Sequence, residues 1–141
     1  MGLTVGDIMN PQLLYVTEED STEAIRSKIL AFGVSGVPVL DRSYRPVGFV
    51  ALRDFSADGK TVKLTSPAVT VNATAPIELA AQRLVDRNLR HLVVVDERGI
   101  ARGVVSALDF VRAFCGREPR HPASFDADCT SAAAFQDDDG R

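Results

Sequence analysis

Hydrophobic residues follow a helical pattern twice along the chain. Between residues 77 and 85 apolar side chains recur at i, i+3, i+4, i+7 and i+8, which predicts one buried stripe on an amphipathic helix. The stripe comprises Ile77, Ala80, Ala81, Leu84 and Val85, after Thr74 as the expected N-cap and Pro76 in the first turn. Ala24, Ile25, Ile29 and Phe32 predict an earlier helix. Gly33 follows that helix and is a natural end for it.

Short apolar runs follow each predicted helix. Residues 37–40 and 92–95 are continuously apolar, which predicts strands buried on both faces. The polar stretches 41–44 and 96–99 predict turns, and second strands are expected at 47–50 and 103–105. With an extended piece before each first helix and a second helix beginning at Ala51 or at Ser106, the element order is β-α-β-β-α, twice.

The two copies align without a gap at an offset of 55 residues. Identical pairs include Val39 and Val94, Asp41 and Asp96, Gly48 and Gly103, and Asp54 and Asp109. A unit of about 55 residues has a marginal core by itself, so two such units are expected to pack together. We therefore predict an α+β fold of two repeats, 1–57 and 58–115, arranged as a pseudo-twofold pair. Residues 116–141 are expected to form an acidic, flexible tail.

Composition narrows the classes of partner. The net charge is −3, and the acidic tail accounts for all of it. No clustered basic residues suggest a nucleic acid or an anionic membrane. No signal peptide or long apolar span is visible, so a cytoplasmic location and no membrane partner are expected. A metal site would need more ligands near His91 and His121, the two histidines of the chain, and Cys115 is expected in the core.

The segment from Gly103 to Asp109 falls at a predicted strand-to-helix junction. Ser106 would be the helix N-cap and Asp109 its N3 residue, a spacing typical of a capping box. The same arrangement suits a ligand, because a helix N-terminus attracts phosphate and a carboxylate can accept hydrogen bonds from ribose hydroxyls. Spacing alone leaves both interpretations open.

This motif, the apolar strand that ends in Asp before it, and the repeated element order together resemble CBS domains. The resemblance covers residues 5–115, and residues 6–9 are similar to the segment that leads into a first CBS repeat. It implies a stand-alone tandem CBS protein, or Bateman module, which forms a homodimer. It also implies that AMP, ADP or ATP binds in a cleft between the repeats as a regulatory ligand, with no cofactor required.

The resemblance assigns two nucleotide sites. The first would take its hydroxyl from Ser106 and its carboxylate from Asp109, and would rest the base against the other repeat; these base-binding residues are Val34, Ser35, Gly36, Val37 and Pro38, with Leu14 beside them. The second would combine Asp54 with Arg90, His91, Leu92 and Val69. Ala51 stands where the family usually has Ser or Thr, so the second site is expected to be weaker.

The predicted function is a regulatory nucleotide sensor that signals to an unknown target protein by conformational change, and not an enzyme. Ser106 has no His and acid partner arranged for nucleophilic catalysis. Two alternatives remain: a ligand-free interaction module, and a binder of another adenosyl ligand such as S-adenosylmethionine or NADH.

Overall fold

The structure, a computed structural model, describes residues 2–121, which fall into two compact units. One unit is Leu14–Ala68, here the 14–68 unit; the other combines residues 2–13 with Val69–His121, here the 69–121 unit. The opening residues, which the repeat assigns to its first copy, therefore pack with the second copy. The predicted tail lies outside the described residues from position 122 onward.

The two units share the order strand, helix, strand, strand, and they differ in the element after the third strand and in the short helix α1, which only the 69–121 unit contains. The 14–68 unit contains β1 (Val16–Thr17), α2 (Thr22–Phe32), β2 (Gly36–Leu40), β3 (Pro46–Ala51) and a 3-10 turn (Leu52–Asp54). The 69–121 unit contains α1 (Val5–Ile8), β4 (Thr70–Asn72), α3 (Ile77–Arg87), β5 (His91–Val95), β6 (Ala101–Ser106) and α4 (Ala107–Phe114). These elements confirm the α+β prediction.

Each unit has a three-stranded mixed sheet. β1 pairs parallel with β2 and β2 antiparallel with β3, in the order β1-β2-β3; the second sheet repeats this as β4-β5-β6. Even the irregularity is repeated, since the antiparallel register shifts between Val39 and Leu40 and again between Val94 and Val95. The central strands are buried as the apolar runs predicted, because both faces of each strand are covered.

The amphipathic helices form as predicted in most respects. Ser21 caps α2 by accepting the Ala24 N–H at 3.0 Å, and Gly33 ends it in the left-handed conformation at φ 68°. In α3 the stripe is narrower than predicted: Ile77 is buried, whereas Val85 is 77% exposed. Asn88, with φ 55°, ends that helix, so Val85 lies in its last turn and points to solvent.

Two local predictions were wrong. Thr74 does not cap α3, because its N–H and hydroxyl both bond to the Asn72 side chain, and Pro76 takes the N-cap position. The second helix of the first copy is only the 3-10 turn Leu52–Asp54. The chain there enters a hairpin whose turn is closed by Ser56 and Gly59, residue types that favour turns over helix.

The repeated aspartates stabilise the turns between antiparallel strands. Asp41 accepts hydrogen bonds from the N–H groups of Ser43 and Arg45, and Asp96 accepts the equivalent bonds from Arg98 and Ile100. The N–H of Ile100 and the Arg102 guanidinium hold the pKa of Asp96 below its ordinary value. For Asp41, burial alone would raise the pKa, but the hydrogen bonds from Arg45 and Ser43 lower it. These residues therefore fix the turns in their ionised form.

A basic side chain ties each long helix to the start of its sheet. Lys28 donates from Nζ to the Tyr15 carbonyl at 2.9 Å, and Arg83 donates to the Thr70 carbonyl at 2.6 Å. Both residues of the second pair stand 55 positions after those of the first. Burial lowers the pKa of Lys28, while the charge of Asp20 opposes that shift. The repeat therefore extends to polar contacts that apolar patterning does not detect.

The segment preceding each repeat's first strand packs on the third strand of the other repeat. Asn10 forms an antiparallel bridge with Val104 on β6, and Thr65 forms one with Phe49 on β3. Thr65 lies 55 positions after Asn10, and Val104 lies 55 after Phe49, so the two bridges are equivalent. Each compact unit thus contains one repeat's body and the other repeat's leading segment.

Glycine is required at positions 48 and 103 because the leading segment passes so close to the strand there. A Cβ at Gly48 would come within 2.8 Å of the Thr65 carbonyl oxygen. A Cβ at Gly103 would overlap the Asn10 carbonyl oxygen and lie 2.9 Å from the Met9 sulfur. Only glycine leaves room for the leading segment at these two positions.

Candidate functional site

Ser106 and Asp109 form a reciprocal cap at the start of α4. The N–H of Ser106 donates to Asp109 Oδ2 at 2.8 Å, and the N–H of Asp109 donates to the Ser106 hydroxyl oxygen at 3.3 Å. The capping box that the spacing predicted is therefore present. Asp109 is also the one charged residue in the buried set of residues 2–121. A carboxylate is costly to bury unless it is hydrogen-bonded, and the cap supplies one such bond.

The first turn of α4 is suited to a negatively charged group. Its N–H groups have no helical acceptors, and the aligned peptide dipoles make this end partly positive. The Ala107 N–H donates to the Arg90 carbonyl at 2.9 Å, and the Asp109 N–H donates to the Ser106 hydroxyl oxygen. The Leu108 N–H, which lies between them in the chain, donates to neither of these acceptors. The Ser106 hydroxyl accepts the Asp109 N–H and keeps its own proton to donate. This turn can therefore bind a phosphate beside a carboxylate that accepts hydroxyls.

Three residues of the second predicted site lie at the start of β5 beside this cap: Arg90, His91 and Leu92. His91 pairs with Ser106 across the β5-β6 ladder, and Val69 accepts the Val93 N–H. Arg90 is exposed and His91 half-buried, whereas Leu92 is fully buried in the core. Leu92 can therefore meet a ligand only through main-chain atoms. The phosphate-binding role of Arg90 and His91 stays a prediction.

In the 14–68 unit, Asp54 repeats the position of Asp109 with fewer contacts. Its Oδ2 accepts the Ala51 N–H at 3.0 Å, but Ala51 has no hydroxyl with which to return a bond. Asp54 is half-buried and stands in a three-residue 3-10 turn rather than in a helix. The shorter turn provides a weaker dipole than α4. These differences agree with a weaker second site, which stays a prediction.

The predicted base-binding residues form the start of β2 in the 14–68 unit. Gly36 pairs with Ala51, and the Ser35 carbonyl accepts the Leu52 N–H at 2.9 Å, so this edge lies beside the turn that carries Asp54. Ser35 is exposed, and Val34 and Gly36 are partly so. The side chains of Val37, Pro38 and Leu14 are packed inside, which limits them to main-chain contacts with a ligand. Their role in binding a base also stays a prediction.

The structure adds one contact to the cap that sequence reasoning missed. His121 Nε2 lies 3.4 Å from Asp109 Oδ1, and both side chains are largely shielded from solvent. The signals available were Gly116 after a predicted helix and Pro119 behind it, which favour a chain reversal and an extended segment. Both residues lie in the segment that the sequence predicts as a flexible tail, and the sequence predicts no contact between that tail and Asp109.

The structure corrects one prediction about this helix. Cys115 is exposed, not in the core, because it stands at the C-cap of α4. Over residues 2–121, no group of three or more His, Cys, Asp and Glu side chains is placed to hold a metal ion. Within the same range no helix has the length and apolar character needed to cross a membrane.

Comparison with known proteins identifies the repeat. The family model for the CBS domain matches twice, at residues 5–57 and 60–116. Among curated relatives, an uncharacterized protein of Methanopyrus kandleri is 22% identical over 121 residues, which cover 78% of this chain and 62% of that protein. A UPF0053 protein of Mycoplasma pneumoniae is 33% identical over 113 residues, covering 74% of this chain and 27% of the relative. The chain thus spans less than two thirds of these relatives.

Solved structures that share this fold include CBS-domain proteins. The CBS domain pair of protein MJ0100 superposes with a TM-score of 0.75 at 20% identity, covering 82% of this chain and 98% of that one. CBSX2, known from Arabidopsis thaliana, was solved in complex with AMP and matches with a TM-score of 0.73 at 26% identity, over 82% and 98%. The CBS domain of a bacterial CNNM/CorC family Mg²⁺ transporter, in complex with ATP, gives 0.69 at 25%, over 81% and 88%. With both repeats matched by the family model and the pair matched by these folds, the chain belongs to the CBS-domain family.

Proposed function

We propose that this chain is a regulatory module that binds an adenine nucleotide, with Asp109 holding the ribose. The observation that carries the proposal is the arrangement of the Asp109 carboxylate. One oxygen is fixed by the Ser106 N–H, and the other is directed away from that bond at the N-terminus of α4. A ribose diol needs an ionised acceptor held in one orientation, and the cap provides it.

The phosphate has its own place in the proposal. The first turn of α4 offers the partly positive helix end, and the Ser106 hydroxyl can donate to a phosphate oxygen. The carboxylate of Asp109 would bind one ribose, and the first turn of α4 would bind one phosphate. AMP contains one of each, so it needs fewer additional contacts to the protein than ADP or ATP. The AMP and ATP complexes of CBSX2 and of the transporter domain support the same class of ligand. ADP, ATP and S-adenosylmethionine are tested beside AMP.

The role proposed is regulatory and not catalytic. Asp54 and Asp109 stand at equivalent positions of the repeat, and each accepts the N–H of the residue at the N-cap. Equivalent carboxylates in equivalent turns support two binding positions better than one acid and one base. A ligand regulates by preferring one arrangement of the protein over another, and the target protein then reads that change. The proposal places the module in the cytoplasm, where adenine nucleotides are made and consumed.

A homodimer is the second part of the proposal. Helix α4 exposes three large apolar side chains at intervals of three residues, Leu108, Val111 and Phe114, each more than half exposed. Side chains at this spacing lie along one side of a helix, and such a stripe in contact with water favours association. A ligand-free interaction module would use the same stripe, so the ligand test separates the two functions.

The experiment is thermal unfolding of the protein with AMP, ADP, ATP, S-adenosylmethionine and NADH in turn. A ligand at about 100 times its Kd stabilises the folded state by about 2.7 kcal/mol, which raises Tm by several degrees. A rise with an adenosyl ligand that disappears in Asp109→Asn supports the proposal. A Tm that none of these ligands changes at millimolar concentration contradicts it and favours the interaction module.

A further inference from the structure

The contact between His121 and Asp109 lies on the oxygen that the proposed ligand needs. Asp109 Oδ2 is occupied by the Ser106 N–H, and His121 Nε2 stands 3.4 Å from Oδ1. The Asp109 side chain is 8% exposed and that of His121 18%. The imidazole therefore occupies space through which a ribose hydroxyl would approach Oδ1.

A specific helix ending brings His121 to this position. Gly116 has φ 72°, its N–H donates to the Ala113 carbonyl, and the Arg117 N–H donates to the Arg112 carbonyl at 2.8 Å. These are the two hydrogen bonds of a Schellman motif, which ends a helix and reverses the chain. The chain leaving α4 therefore turns back toward the helix it has just left.

The length of the returning segment matches the distance that it has to cover. Six residues separate Asp109 from Cys115, about 9 Å along a helix at ~1.5 Å per residue. Residues 117–121 span at most about 17 Å when extended, at ~3.3 Å per residue. Pro119 favours that extended form. Residues 116–121 can thus reach from the end of α4 back to its first turn.

The contact between His121 and Asp109 is weak enough for a ligand to displace it. His121 Nε2 and Arg112 Nε are shielded from solvent, and no residue in the range 2–121 offers either of them a hydrogen bond of good geometry. A contact at 3.4 Å without a well-directed hydrogen bond is weaker than the bonds that two ribose hydroxyls would make to the carboxylate. A ligand can therefore displace His121 and gain from the exchange.

We propose that residues 116–121 form a strap that closes over Asp109 and must open before an adenosyl ligand binds. This inference rests on the proposed function, since it assigns regulation to the same site. The strap lowers the apparent affinity by the fraction of molecules in which it is open: a strap closed in about nine molecules of ten weakens binding about tenfold.

The test measures AMP binding kinetics in the full chain and in two variants that loosen the strap differently. His121→Ala removes the group that meets Asp109, and Gly116→Ala strains the left-handed turn at a position where a Cβ has nothing within 4 Å. Both variants are expected to bind AMP ~3- to 10-fold more tightly through faster association, with dissociation unchanged, because only the open fraction changes. Unchanged affinity in both variants overturns the strap. So does weaker binding with faster dissociation in His121→Ala, which would make His121 a ligand contact.

A second measurement on the ligand-free protein separates the strap from the proposed function. The chain has two histidines, so the ring signals of His121 in an NMR spectrum are assigned by comparison with His91→Gln. Asp109→Asn is expected to shift the His121 ring signals. If no adenosyl ligand binds to the wild type or to either loosened variant, the proposed function fails. In that case a shift of these signals still supports the closure of residues 116–121 over Asp109, and unshifted signals rule that closure out.

Discussion

Asp109 and Ser106 hold each other through two hydrogen bonds, one from each main-chain N–H to the other's side chain. The pair is both the cap of α4 and the centre of the proposed site. Its two roles separate by atom: Oδ2 of Asp109 and the lone pair of Ser106 stabilise the fold, whereas the serine proton and Oδ1, once His121 leaves it, serve a ligand. Substitutions that preserve one set of atoms and remove the other can test each role alone.

The hydrogen bond from the Asp109 N–H to the Ser106 hydroxyl oxygen predicts that Ser106→Ala destabilises the protein. Removing an N-cap hydroxyl leaves the Asp109 N–H without its acceptor and costs about 0.5–2 kcal/mol. The measurement is urea unfolding without ligand, with Ser27→Ala as the control, because Ser27 is exposed within α2 and caps no helix. Equal midpoints for the wild type and Ser106→Ala would show that the cap contributes no stability.

The leading segments predict that alanine is not tolerated at the motif glycines. Gly48→Ala and Gly103→Ala each bring a methyl group against a carbonyl oxygen of the segment that bridges the strand. Overpacking of this kind costs about 1–3 kcal/mol, measured by chemical unfolding. Gly2→Ala is the control, since a Cβ there has nothing within 4 Å. If both motif variants are as stable as this control, the leading segments do not press on β3 and β6 as described.

The turn aspartates predict a pH dependence. The pKa of folded Asp96 lies below that of an unfolded aspartate, so its ionised form stabilises the fold above about pH 4, and this stability is lost as pH falls through the folded pKa. Asp96→Asn keeps an oxygen for the Arg98 and Ile100 N–H groups but removes the charge. We expect it to lower Tm at pH 7, and we expect this difference from the wild type to be smaller at pH 3, where the aspartate of the unfolded chain is protonated.

The control for this prediction is Glu97→Gln, which removes a neighbouring carboxylate that makes none of these bonds. Its Tm is expected to stay near that of the wild type at both pH values. A Tm difference for Asp96→Asn that stays constant from pH 7 to pH 3 would contradict the account of the turn.

The exposed apolar stripe on α4, formed by Leu108, Val111 and Phe114, predicts which substitution separates the proposed homodimer into monomers. Val111→Asp puts a charge at the centre of the stripe and is expected to convert the dimer to monomer in sedimentation velocity, because a charge opposes burial of the apolar side chains around it. Val85→Asp is the matched control, since Val85 is exposed on α3. A wild-type protein that sediments as a monomer at all concentrations rules out the dimer. Dissociation by Val85→Asp alone places the interface elsewhere.

The sequence predicted the features that depend on local pattern. The pattern predicted two equivalent sets of strands, the buried strands 37–40 and 92–95, and the glycine that ends α2, because each follows from the order of apolar and turn residues. It did not show why Gly48 and Gly103 are glycines, because the segments they accommodate come from distant parts of the chain. Val85 was assigned to the core because periodicity does not reveal where a stripe ends. The contact of His121 could not be predicted because it depends on a chain reversal at Gly116, five residues earlier.

The central claim is that Asp109 holds an adenine nucleotide, and isothermal titration with AMP tests it most directly. Asp109→Asn keeps an oxygen for the Ser106 N–H but removes the charge. Losing a hydrogen bond to an ionised acceptor costs about 1.5–3 kcal/mol, so AMP affinity should fall about 10- to 100-fold. The matched control is Asp54→Asn, the equivalent carboxylate in the other repeat, for which a smaller loss is expected. A folded Asp109→Asn protein that binds AMP as tightly as the wild type would contradict the account.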